Sequence, residues 1–266
     1  MNVTFRGTRG SYPLNAPGFS ALGGNTSCVE VSNDEGGKLL IDAGSGLLHV
    51  EPTTSTDVIF LSHLHVDHLI GLPYFIGKKK NTGGSLVLVS GIFSTSGEFS
   101  EAIDNFYGGR YFPINMKDIL PSIRYQCLGP GKSTVADWTF EGIELNHPGG
   151  CVGGRFSHRE NTYSLVYASD HEHGTKHHDN LTAFANGADL LVYDSSFSEE
   201  NYQQYKGWGH STWQMGIETG EAANVKRVAL THHDVTRSDL EAEKIEAQCA
   251  QTRGFVARDH MQVTLG

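Results

Sequence analysis

The sequence predicts an α/β protein layered αββα, a four-layer sandwich of two packed sheets with helices on the outer faces. Three observations predict it. Short β-branched or apolar runs recur along the chain, each closed by glycine or polar residues. Helical patterns fall between or after those runs rather than in a separate block. No internal repeat, long charge block or Pro/Ser linker divides the 266 residues, so residues 1–266 read as one domain that can bury a full core.

In chain order the strands are "VTFRG", "SCVEVS", "KLLIDAG", "DVIFLSH", "SLVLVSG", "FEGIELNH", "YSLVYASD", "DLLVYDSS" and "VKRVALTHH". Helices are expected over 98–107, 116–120, 178–186, 211–224 and 237–251, the last with Ser238 as its N-cap. "KKKNTGGS" (78–85) reads as a loop with its lysines in a solvated turn.

Bulk properties exclude several classes. No run approaches the roughly 18–20 apolar residues of a membrane span, and "MNVTFRGTRGSYP" lacks the layout of a signal peptide. A cytoplasmic protein with no membrane partner is expected. Cys28, Cys127, Cys151 and Cys249 show no CxxC pairing, which excludes a cysteine zinc knuckle and argues against disulfides. A formal net charge of −10 argues against long nucleic acid as a partner. It leaves room for a small anionic substrate if metal ions supply local positive charge. A homodimer is compatible with the sequence.

The chemistry is concentrated in "LSHLHVDHLIGLPYF" (61–75), where His63, His65, Asp67 and His68 follow an apolar run. Imidazoles and carboxylates beside a buried strand cost desolvation free energy unless a metal, a hydrogen-bond network or water satisfies them. The placement recurs: "FEGIELN" runs into His147, "YSLVYAS" into Asp170, and "RVAL" through Thr231 into His232. Neighbouring strands that present one edge would bring these ends to one point. A lone HxH reads as a solvated loop, whereas HxHxDH followed by three further strand-end ligands reads as a binuclear metal site. His63, His65 and His147 suit a tetrahedral site with a position left for water. Asp67, His68 and His232 form a second set, Asp170 bridges both, and His233 is the alternative to His232. Two divalent ions, zinc or manganese, with iron or cobalt accepted by the same N/O ligands, would hold a hydroxide and polarise a substrate oxygen.

"SHLHVDH" resembles the HxHxDH signature of the metallo-β-lactamase superfamily, and "IDAGSG", "NHPGG", "YASD" and "LTHHD" resemble its other motifs, in the right order. The resemblance extends to "GGNTSCVEV" and "GGRYFPI" and covers nearly the whole chain. It implies that family's fold, two mixed β-sheets flanked by helices with a binuclear site at one edge. It also implies a structural Asp42 that holds the ligand loop by hydrogen bonds. Asp170 stands where many lactamases carry cysteine, which argues against a penicillin substrate. His65 stands where the oxygen-reducing diiron branch carries glutamate, which argues against a redox role.

"GWGHSTWQ" (207–214) and "LVYDSSF" (191–197) resemble segments of the phosphodiesterase branch, which includes the tRNA 3′-processing endonuclease. The resemblance implies that His210 is the general acid and Asp194 its orienting partner, one methylene shorter than the family's glutamate. A cap or surface histidine is the alternative for His210. Asp67, His210 and Asp194 are therefore the expected catalytic residues. The expected activity is hydrolysis of a small phosphodiester such as a cyclic nucleotide, with a metal-held hydroxide as nucleophile and His210 protonating the leaving oxygen.

Three rivals remain: lactone or thioester hydrolysis at the same site, tRNA 3′-end cleavage, and a non-catalytic sensor. The lack of a long basic Gly/Pro-rich arm argues against RNA, and the full ligand set argues against a sensor. Weaker features stay open. His171, His173, His177 and His178 form either a third metal site or, as favoured, a polar loop at the pocket rim. Cys151 reads as a packed small residue, and Tyr111 and Phe112 as base-stacking or core aromatics. "GGNTS" and "HPGGCVGG" are too generic to be phosphate cradles.

Overall fold

In the computed structural model, which describes residues 1–33, 36–109, 112–159 and 162–266, two seven-stranded sheets pack face to face. The first contains β1 (Asn2–Gly7), β2 (Cys28–Ser32), β3 (Leu39–Ile41), β4 (Thr56–Leu61), β5 (Ser85–Ser90) and β6 (Arg124–Cys127). The second contains β7 (Lys132–Val135), β8 (Trp138–Leu145), β9 (Cys151–His158), β10 (Leu165–Ala168), β11 (Leu190–Asp194), β12 (Arg227–Thr231) and β13 (Gly254–Val256). A last strand, β14 (Gln262–Thr264), returns to the edge of the first sheet beside β1. The orders are β14-β1-β2-β3-β4-β5-β6 and β13-β12-β11-β10-β9-β8-β7. Both sheets are mixed: β3 to β6 and β10 to β13 are parallel, and the remaining pairs are antiparallel.

Burial explains the layering. In β4, Val58 and Phe60 face the second sheet, where Phe60 meets Phe156 at a centroid separation of 5.0 Å. Ile59 and Leu61 face outward into a cluster with Phe75 and Ile76 of α1 (Leu72–Thr82), Phe99 and Ile103 of α2 (Ser96–Tyr107) and Met116 of α3 (Met116–Ile119). The far face of the second sheet is covered in the same way. Leu181 of α4 (Lys176–Phe184), Ile217 of α6 (Trp213–Ala222) and Ile245 of α7 (Asp239–Cys249) pack there on Val166, Leu191 and Val228. A short α5 (Glu199–Tyr202) lies in the connection after β11. Strands buried on both faces read as continuous apolar runs, which is why they were visible in the sequence.

Each of the nine runs read as strands contains one, and the αββα layering holds. Ser238 caps α7 within a capping box, its Oγ accepting from the Glu241 amide at 3.3 Å. One expectation fails. Residues 78–82 are not a loop but the last turns of α1, and Lys79 is fully buried rather than solvated. Its ammonium donates to Asp57 (2.8 Å) and to the carbonyls of Thr53 and Ser55 (2.7 Å each), a three-acceptor socket that the local sequence does not reveal. The strands that went unread are β6, β7, β9, β13 and β14. β9 carries two glycines, and the Phe156 ring stands only 2.7 Å from where a Cβ on Gly154 would lie. No helix among the described residues is long and apolar enough to cross a membrane.

Direction decides where chemistry can assemble. β9 is antiparallel to both β8 and β10, and β10, β11 and β12 are mutually parallel. So β8, β10, β11 and β12 all end at one edge of the second sheet. That edge meets the loop after β4, where the Val152 amide at the start of β9 donates to the Ser62 carbonyl (3.0 Å).

Candidate metal centre

The strand-end residues converge as the spacing predicted. His63 and the loop to His68 follow β4, His147 follows β8, Asp170 follows β10, and His232 follows β12. Asp170 is central and almost fully buried. Its carboxylate lies 3.1 Å from His68 Nε2, 3.2 Å from His232 Nε2, 3.8 Å from His147 Nε2 and 4.0 Å from His63 Nε2. The donor atoms of His63, His65 and His147 lie within 4.8 Å of one another, and so do those of Asp67, His68 and His232. His63, His68 and Asp170 form a group of the same size that joins the two.

Four of the five imidazoles, all but His65, are anchored from behind. His68 Nδ1–H donates to Asp42 (2.8 Å), and His63 Nδ1–H to Ser62 Oγ (3.0 Å), whose own proton goes to Asp42. His147 Nδ1–H donates to the Gly209 carbonyl (2.9 Å) and His232 Nδ1–H to Ser196 Oγ (3.1 Å). These partners select the tautomer and turn Nε2 inward. The Nε2 atoms of His63, His68 and His232 are buried and make no hydrogen bond, although carboxylates stand nearby. Orphaned buried nitrogens aimed at shared carboxylates fit divalent cations, which accept this N/O set.

The electrostatics agree with the geometry. Burial alone would raise the Asp170 carboxyl, but His232 and His68 hold it well below the usual carboxylate range. Burial opposes charge on His68, yet Asp170, Asp67 and Asp42 hold it well above the usual imidazole range. The site is thus strongly polarised before any ion enters. Asp42, Asp170 and His232 all adopt left-handed backbone (φ 59°, 60° and 56°). Such conformations cost on the order of 1–2 kcal/mol each for residues with a Cβ, and here they turn the strand ends toward one point. Gly10 permits the close fit, because a Cβ there would stand 2.3 Å from the His232 ring.

Asp42 has no place in the candidate ligand groups. It accepts from Ser62 N (2.8 Å), Tyr167 OH (2.7 Å) and His68, and so supports the ligand loop from below. His233 points away: Nε2–H donates to the Ala257 carbonyl (2.9 Å), and Arg237 donates to its Nδ1 (3.1 Å). Burial and Arg237 lower it well below the usual imidazole range. His232, not His233, therefore faces the cluster.

His210 stands beside it. Its Nδ1–H donates to Asp194 (2.7 Å), so the shorter aspartate still reaches. Asp194 is fully buried and accepts also from Ser196 N and Oγ, Ser211 N and Asp170 N. Burial opposes charge on His210, but Asp194 and then Asp170 raise it to about 9. His171, His173 and His178 make a hydrogen-bonded rim, while His177 Nε2 lies 3.8 Å from Glu144. His171 accepts from the Asn146 amide (3.2 Å) and lies 3.4 Å from His178, while His173 contacts Ser211 Oγ (3.2 Å). None of them joins a candidate ligand group among the described residues. Cys151 is buried and packed, with Sγ 3.8 Å from the Ser169 carbonyl. Phe112 packs on Tyr107 at 5.5 Å and borders an apolar cavity of about 620 Å³, and Tyr111 lies outside the described residues. Sequence reasoning missed Ser62 and Ser196, which touch the clustered imidazoles, and Tyr167 and Ser211, which bond the carboxylates behind them.

Comparison with known proteins places this geometry. Residues 38–233 match the family model described as "Beta-lactamase superfamily domain". Ribonuclease BN of Cronobacter sakazakii is 24% identical, with all of both chains covered. The human tRNase Z short form has a TM-score of 0.70 at 20% identity, covering all of both chains. A diphosphatase from the PhnP family has a TM-score of 0.73 at 18% identity, covering 98% of this chain and 96% of its own. Across motifs, topology and site, the chain belongs to the beta-lactamase superfamily, among its metal-dependent hydrolases.

Proposed function

We propose that this chain is a phosphodiesterase that acts on a small phosphodiester, such as a cyclic nucleotide, with two divalent ions, zinc or manganese. His63, His65 and His147 would hold one ion and Asp67, His68 and His232 the other, with Asp170 between them. Bound there, the ions would supply Lewis acidity toward a phosphoryl oxygen and lower the pKa of a water. The rest is done by side chains. Asp194, locked by two serines, holds His210 at Nδ1, so that Nε2 is the ring nitrogen left for a substrate. The buried Asp194 carboxylate favours the protonated ring, and the Nε2 proton is the one it would give to a departing alkoxide.

The observation that carries this reading is the pair of the part-buried His210 and the buried Asp194, beside the Asp170 carboxylate that the other imidazoles share. An alkoxide leaving from phosphorus needs such an acid, whereas a thiolate leaving from a thioester does not. Two facts support a small substrate. The chain is acidic, and its 319-position alignment with ribonuclease BN includes all 266 residues, so roughly fifty positions of that relative have no counterpart here. The names ribonuclease BN and tRNase Z favour a second reading, 3′ processing of tRNA, and the expectation against long nucleic acid loses support from them.

One experiment separates these. Metal-stripped protein is reconstituted with zinc or manganese and assayed on bis(p-nitrophenyl) phosphate, cyclic nucleotides and a tRNA precursor with a 3′ trailer. Metal-dependent turnover of the small diesters with little cleavage of the precursor is expected. Efficient cleavage at the tRNA 3′ end would install the second reading, and inertness toward all phosphodiesters would sink both.

A further inference from the structure

We propose that Glu172 is a positioning residue that holds His210 and His147 in register through the segment 207–209; this deepens the phosphodiesterase reading and rests on it. Glu172 sits among four histidines in the sequence, yet it is buried and its carboxylate does the most work in that loop. One oxygen accepts from the Tyr202 hydroxyl (2.9 Å) and the Gly207 amide (2.8 Å), and the other from the Gly209 amide (2.9 Å). Its backbone is tied as well. Glu172 N–H donates to the Asn146 carbonyl (2.9 Å), and the Asn146 side-chain amide donates back to the Glu172 carbonyl (3.0 Å). The residue before His147 is thus held by the same residue that holds the segment before His210.

Gly209 joins the two. Its carbonyl accepts from His147 Nδ1, its amide is held by Glu172, and the next residue is His210. Gly207 and Gly209 both have left-handed backbone (φ 90° and 87°), and a Cβ on Gly209 would stand 2.4 Å from His147 Nδ1. Glycine is required for the fit, and glycine leaves the segment free to move unless something restrains it. A carboxylate that accepts from both glycine amides is that restraint, and charged acceptors make the stronger hydrogen bonds. At Glu172→Gln, one acceptor oxygen becomes a donor where three donors converge, so at least one of them is left facing an N–H.

The test uses zinc-replete wild type, Glu172→Gln, Tyr202→Phe and His210→Ala. Each is assayed on bis(p-nitrophenyl) phosphate, whose phenolate leaves unprotonated, and on a dinucleoside monophosphate, whose alkoxide needs a proton. His210→Ala should lose about 10²–10⁴-fold on the dinucleotide and far less on the nitrophenyl ester. Glu172→Gln should lose at least about tenfold with the same selectivity, as displacement of a positioned group does. Tyr202→Phe, which removes one donor, should shift the ratio less and serves if Glu172→Gln fails to fold. Zinc affinity of the stripped Glu172→Gln protein should fall about tenfold as the Gly209 carbonyl that orients His147 loses its restraint. Trp208, exposed between the two glycines while Trp138 and Trp213 are buried, reports the segment by nanosecond fluorescence anisotropy, which Glu172→Gln should lower. Wild-type substrate ratio, zinc affinity and anisotropy in Glu172→Gln would overturn the proposal. If His210→Ala leaves the ratio unchanged, the general-acid reading falls, and the role of Glu172 is then decided by zinc affinity and Trp208.

Discussion

Lys79 in α1 and the histidines His63, His68 and His232 at the sheet edge are all buried polar groups, and their surroundings are opposite. The Lys79 ammonium has three protons and three acceptors, Asp57 and two carbonyls. Asp57 in turn accepts from the Lys38 and Thr53 amides and from the Thr53 hydroxyl. Nothing is left over. The three histidines are equally well held at Nδ1, yet their Nε2 atoms have no hydrogen bond and face shared carboxylates. Burial of a polar group is costly in both places. In the first the chain closes the cost by itself; in the second it leaves one side open for a ligand from outside. A satisfied buried cluster serves the fold, and one left open in a single direction marks a site.

The largest expected effect is at Asp170, which all the inward imidazoles share. Asp170→Ala should lower kcat/KM on bis(p-nitrophenyl) phosphate at least about 10³-fold and abolish stoichiometric metal binding in an elemental assay. Retained activity would break the contrast outright. Lys79→Met tests the other side. Leaving Asp57 buried and unpaired should cost about 3–5 kcal/mol in urea unfolding, while kcat per folded molecule stays at the wild-type value. A loss of specific activity there would show that the two clusters are not separate.

Chelation sharpens the contrast further. Where metal is present at about a hundred times its Kd, removing it should cost about 2–3 kcal/mol of stability in wild type, and nothing in Asp170→Ala. The smallest effect concerns the histidine rim. Burial, then His178, lowers His173, and burial lowers His178. A folded-state value below the ordinary imidazole value of about 6.5 gives stability that is complete above that pH and lost as pH falls beneath it. The urea midpoint should therefore decline modestly between pH 7 and 5, and His178→Gln should flatten the decline. A midpoint that rises on acidification would contradict the neutral state of these half-buried rings.

Much of the site was legible because its residues sit at strand ends, where an apolar run stops and a polar residue follows. The runs before His63, His147, Asp170 and His232 show this directly. Helix α1 was illegible in its second half because three consecutive lysines look solvated unless the acceptors of Lys79 are known. Asp57 lies 22 residues away, on a different element. Strand β9 was hidden by two glycines, Gly154 with the Phe156 ring in the space of a Cβ and Gly153 with the Tyr167 carbonyl there.

The sequence by itself determined the layering, the four converging strand ends and the family, since these follow from local hydrophobic period and from motif order. Only the tertiary structure decided which groups orient the clustered imidazoles and carboxylates. Asp42 reaches Tyr167 across 125 positions, His147 meets Gly209 across 62, and Ser196 meets His232 across 36. Tertiary packing also chose His232 over His233, through left-handed backbone at one residue and a carbonyl partner for the other. A hydrogen bond depends on ångström-scale distance and angle, and residues far apart in the chain acquire those only when the sheets close on each other.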